Sequence, residues 1–344
     1  MTKSQKSYLS TIWKIAPVLL IAGLLVMAFG MQAEADYPDD EIELVVPWSA
    51  GGITDTTARA FAPHFEKHLD TSLVIENRPG ASGAVGTEYT YDQDADGSTV
   101  LLSAETPGTF QVMGLSDLGF EDFEHIMMLV SAERGLVVPA DSPYETAEEL
   151  IEDIRENPGQ ISMSYSGPGA SGHILGLLLE EAGLEISKTP AGGGHEAMIE
   201  TISGRVDFTL PNLSTVMDYV EEGDLRLLAV LDDEPSDRVD APPLTEALPE
   251  LEEYLPLHFP NCLMVKEGTS QEKIDVLKEA AVQAGEEEDW IEYTEDNYFQ
   301  RLHHLTGDEV LEYWQDWQSV VAWLLYEAGE TERSPEEFDI PRGI

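Results

Sequence analysis

Two short loops collect the residues of this 344-residue chain that could act on a ligand. The first runs Trp48-Ser49-Ala50-Gly51-Gly52 and continues into Thr54 and Asp55; the second holds Ser166, Gly167, Gly169, Ser171 and His173. Glycines let a backbone approach a ligand closely, and the free amides at a helix start, together with the helix dipole, favour an anion. Trp48 could stack on that ligand or wall it in. Asp55 would cap the first helical turn or pair with an amino group of the ligand. Ser171 beside His173 raises a second chemistry, hydrolysis by a serine and a base. No Gly-x-Ser-x-Gly elbow accompanies them, so His173 reads as a wall or capping residue. His64 and His68 stand at helical i,i+4 spacing, but without a third ligand or a His-Glu-x-x-His order no metal is assigned, and no cofactor either.

The elements that must position these loops follow from periodicity. Ile42, Leu44, Val45 and Val46 form a short buried-strand run that Pro47 stops. Thr54 and Asp55 start a helix whose apolar face is Ala58, Phe61, Ala62, Phe65 and Leu69. Strands follow at Ser72–Ile75 and Thr99–Leu102, so the opening is βαβαβ and predicts a parallel sheet with its loops along one rim. Gln160–Tyr165 repeats the pattern of strand, Gly/Ser loop and helix start. Val206–Leu210 and Leu225–Leu231 extend that second unit, and Cys262–Val265 is the strand predicted to return to the first. Glu309–Tyr326 is a long amphipathic helix whose Trp314 and Trp317 belong to the core.

Composition narrows the class. Lys3, Lys6 and Lys14 precede an apolar run from Ile15 to Met31 and then Ala33-Glu34-Ala35, the pattern of an export signal cleaved after Ala35; an uncleaved anchor is the competing reading. The net charge is −49, and removing three lysines and Glu34 with the leader leaves 15 basic and 66 acidic residues, a net of −51. Such a surface excludes nucleic acid and anionic lipid as partners. The carboxylates are dispersed, as in Glu148-Glu149, Glu221-Glu222 and Glu286 to Asp289, which reads as adaptation to strong salt and a halophilic source. The one cysteine, Cys262, permits no intramolecular disulfide.

Taken in order, Val45-Val46-Pro47 with Gly51-Gly52 and Asp55, Glu76-Asn77-Arg78-Pro79-Gly80-Ala81, Asp96-Gly97, Ser166-Gly167 with Gly169 and His173, Gly193-Gly194, Val206-Asp207, Leu228-Ala229-Val230, Pro243-Leu244-Thr245-Glu246 and Glu267-Gly268-Thr269 form a specific set. The chain resembles the extracytoplasmic solute receptors of tripartite tricarboxylate transporters, the TctC-like or Bug family. That resemblance implies a periplasmic-binding-protein fold of type II: lobe 1 from 36–133 and 259–344, lobe 2 from 134–258, and a hinge beside an interlobe ligand cleft. It implies a monomeric, non-enzymatic periplasmic receptor that closes on a small carboxylate and delivers it to membrane permease subunits. A sensor subunit for a membrane kinase uses the same closure and is not separated from transport by sequence. The loops carried over as the site are the two named first, with a third, Ala191-Gly192-Gly193, nearby. Ala191 and Gly192 depart from the aromatic and polar residues common there, which leaves side-chain contacts in the second lobe open.

Overall fold

The computed structural model describes residues 37–343 apart from 253 and 256; the predicted leader lies outside the described residues. Two sheets organise the chain. The first takes β1 (Ile42–Val46), β2 (Leu73–Asn77), β3 (Thr99–Ser103), β4 (Phe123–Ala132), β10 (Pro260–Lys266) and β11 (Phe299–Arg301), in the order β11-β4-β10-β3-β1-β2. The second takes β5 (Gly135–Pro139), β6 (Ser162–Tyr165), β7 (Ser187–Pro190), β8 (Phe208–Thr209) and β9 (Leu225–Val230), in the order β7-β6-β8-β5-β9.

The helices between them are α1 (Ile53–Leu69), α2 (Ala84–Tyr91), α3 (Pro107–Met113), α4 (Ala147–Glu156), α5 (Ser171–Glu181), α6 (Gly194–Ile202), α7 (Leu213–Glu222), α8 (Leu244–Ala247), α9 (Gln271–Gly285), α10 (Glu288–Asp296) and α11 (Asp308–Glu327). None of the described helices is long and apolar enough to cross a membrane.

β1 pairs in parallel with both β2 and β3, as βαβ connections require. Loops leaving the C-terminal ends of β1 and β3 therefore share one edge. In the second sheet β6 and β8 are parallel, and the antiparallel β5 starts at the edge where they finish. The predicted strand around Cys262 does return to the first sheet, between β3 and β4. Cys262 is fully buried there, and burial pushes its thiol pKa well up.

Residues 40–344 form one compact body. A single apolar cluster runs from Val45 and Leu101 in the first sheet through Trp314, Val321 and Leu325 of α11 to Met163 and Phe208 in the second. α11 packs on α3 of the first half and α5 of the second. Phe120 stacks on Trp314 at 4.2 Å, and a Cβ on Gly108 would stand 2.9 Å from Trp317, so that glycine sets how closely α3 approaches α11.

Candidate functional site

At the first edge the helix start is held by a buried carboxylate. Asp55 is 2% exposed; its Oδ2 accepts from Gly51 N at 2.8 Å and Arg59 Nε at 3.0 Å, and its Oδ1 from Asn77 Nδ2 at 2.9 Å. Asn77 also donates to the Trp48 carbonyl at 3.1 Å, so one residue at the end of β2 ties the loop and the helix together. Burial raises the Asp55 pKa, but the hydrogen bonds from Arg59, Gly51 and Asn77 outweigh it and leave it lowered. Gly52, not Thr54 or Asp55, is the N-cap, and it has no side chain to close the first turn. The Gly51 amide, expected to be free, is thus spent on Asp55, while the open start of α1 follows it. Beside this loop, Trp48 Nε1 and Thr106 Oγ1 are buried with no hydrogen-bond partner among the described residues. They are neighbours: a Cβ on Gly83 would meet Thr106 Oγ1 at 3.3 Å and the Trp48 ring at 3.5 Å.

The second loop reaches the first half directly. Ser82 Oγ donates to the Pro168 carbonyl at 3.1 Å, and Thr109 Oγ1 to the Gly169 carbonyl at 3.2 Å. Three successive amides of it are engaged. Gly169 N donates to His173 Nδ1 at 3.1 Å, Ala170 N to Gly167 O at 3.2 Å, and Ser171 N to Glu105 Oε1 at 2.9 Å. Glu105 follows β3 in the other half and is 4% exposed. Arg134, between β4 and β5, donates to Ser171 Oγ at 2.7 Å and to the Leu210 carbonyl at 3.1 Å. Burial pulls the Arg134 pKa down to about 10, with Glu105 opposing the shift. Ser171 and His173 are therefore engaged separately: the serine hydroxyl meets Arg134, and His173 turns Nδ1 to Gly169 and Nε2 towards Glu330 at 3.4 Å.

Of the third loop, Ala191 N closes on the Tyr165 carbonyl at 2.8 Å, tying it to the end of β6. Gly193 is the N-cap of α6, and Glu196 folds back over it, its Oε2 2.6 Å from where a Gly193 Cβ would be. Gly192 is exposed. A separate cavity of 380 Å³ lies at the crossing segments, lined by Glu133, Arg134, Asp232, Arg238 and His258 among others, and touches none of the three loops. His64 and His68 both bind Glu287, at 2.9 and 2.7 Å, together with Lys67 at 2.6 Å. Arg78 pairs with Glu76 at 2.6 Å and lies 3.3 Å over the Tyr89 ring.

Two α/β halves joined by crossing segments, with loops from both meeting across the join, have the periplasmic-binding-protein fold of type II. Residues 57–315 match the tripartite tricarboxylate transporter family receptor, and the chain belongs to that family. Protein BugT of Bordetella pertussis is 29% identical over 236 residues, covering 66% of this chain and 72% of BugT. The solved periplasmic binding protein BugD is 23% identical with a TM-score of 0.77, covering 86% of this chain and 100% of BugD. MatC from Rhodopseudomonas palustris, solved with bound malate, is 21% identical with a TM-score of 0.73, covering 84% of this chain and 100% of MatC. At those identities the structures carry the fold.

Proposed function

We propose that this protein is a periplasmic receptor that captures a small carboxylate between its two halves and delivers it to membrane permease subunits of a tripartite transporter. The observation that carries the reading is the pair of buried donors, Trp48 Nε1 and Thr106 Oγ1, left without partners beside the open start of α1. Both lack an acceptor, and a carboxylate oxygen supplies one. Malate bound to MatC gives a carboxylate precedent within the same fold. Separate engagement of Ser171 and His173 favours binding over hydrolysis. Export follows from the predicted leader, and the acidic surface fits a salt-rich surrounding.

The test is a thermal-shift screen of the chain from Asp36, in molar NaCl, across mono-, di- and tricarboxylates, followed by calorimetry on Trp48→Phe. That variant keeps an aromatic face and removes the indole N–H donor. A hydrogen bond to a charged acceptor is worth about 1.5–3 kcal/mol, so binding should weaken by roughly ten-fold or more. No stabilisation by any carboxylate, or unchanged binding in the variant, sinks the reading.

A further inference from the structure

Glu105 stands where a second ligand carboxylate would be expected. It comes from the first half, at the edge beside Trp48 and Thr106, yet its Oε1 holds the first amide of α5 in the second half. Among the described residues the cation bonded to that helix start is Arg134, held by Ser171 and the Leu210 carbonyl, with Glu105 favouring its charged form. The two amides that precede Ser171 N, those of Gly169 and Ala170, are spent within their own loop. The third helix start is covered by Glu196. Among the described residues, the buried donors left unmatched at this join include Trp48 Nε1 and Thr106 Oγ1 of the first half, Thr106 having 0% exposure, and Arg134 Nε, whose charge already faces Glu105.

We propose that Glu105 is a specificity-determining residue. It fills the α5 start from across the join and thereby selects a solute with one carboxylate, bound at the Trp48–Thr106 end, and an uncharged or cationic far end. A second carboxylate would meet the charge of Glu105, itself 4% exposed, and like charges repel more strongly where water is excluded. This rests on the carboxylate-receptor reading above.

The experiment compares length-matched probes differing only at the far end: butyrate, 4-aminobutyrate and succinate; hexanoate, 6-aminohexanoate and adipate. Their affinities are measured by calorimetry in molar NaCl for wild type and Glu105→Gln, which retains an acceptor for Ser171 N without the charge. Wild type should bind the better monocarboxylate of each set at least about ten-fold more tightly than its dicarboxylate. Glu105→Gln should close that ratio by a similar factor. A merely structural Glu105 would weaken every probe alike and leave the ratio unmoved, which overturns the proposal, as does a wild-type preference for succinate or adipate. Failure of every probe, with the broader screen also silent, removes the carboxylate reading itself and this inference with it.

Discussion

A carboxylate buried beside a proposed anion site has to be neutralised locally, and Asp55 shows how. Arg59 supplies the charge, Gly51 and Asn77 the remaining hydrogen bonds, and nothing of Asp55 is left over to pair with a ligand amino group. Because its pKa is lowered on folding, its contribution is present above the unfolded value of about 3.9 and disappears as pH falls through the folded value. Asp55→Asn should lower unfolding free energy by about 2 kcal/mol near neutrality. The gap should narrow in urea titrations repeated below pH 4, roughly the unfolded pKa; a gap independent of pH would mean the charge is not what holds the loop. Gly86 makes the complementary point about shape. A Cβ there would lie 2.7 Å from Pro47 Cα and 2.8 Å from the Arg78 carbonyl. Gly86→Ala must therefore push the Pro47–Gly52 loop, costing about 1–3 kcal/mol. Its probe affinity should fall more than that of a control alanine substitution at Gly204, which is strained by a φ of +67° but has nothing within 4 Å to push. Equal affinities would separate the loop from binding.

At the scale of elements, strongly periodic segments were legible and contact-dependent ones were not. The α1 and α11 faces, the β1 run and the strand–loop–helix pattern at β6 follow from spacing alone, and the structure has them within a few residues. α3, β11 and the first half of β4 carry no comparable period: α3 is seven residues long and is shaped by Gly108 lying against α11. The site divides similarly. Glycine loops announce themselves, whereas Glu105 is one carboxylate in a chain with 67 acidic residues, so only its place at the end of β3 distinguishes it. Arg134 is recognisable only once β5 is known to start beside β8. The His64 and His68 pair, too, needs the fold to find Glu287, whose pKa is pulled down to about 2 by Lys67, His64 and His68. This contribution is present above the unfolded Glu pKa of about 4.3 and is lost as pH falls through the folded value. Glu287 is largely screened, so Glu287→Gln should cost under about 1 kcal/mol. A larger loss on chemical unfolding in molar salt would show the clamp to be more than a surface pairing.

For the whole molecule, a net of −49 sets the terms. Self-repulsion acts across the surface at low ionic strength and is cut to roughly 3 Å range at 1 M salt. The thermal midpoint should climb steadily between about 0.1 and 2 M NaCl as screening strengthens, and a flat response would assign the carboxylates another role. Binding at the join should respond far less, since Asp55, Glu105 and Arg134 are partnered at contact distance.

Cys262 lies at the centre of the first sheet with no surface exposed and its thiolate form disfavoured. Thiol-directed reagents therefore meet a blank background in the folded protein. Paired cysteines introduced at exposed Ala50 and Gly192 could carry fluorophores or spin labels without first removing the native residue, so the separation of the two halves can be read directly, empty and loaded.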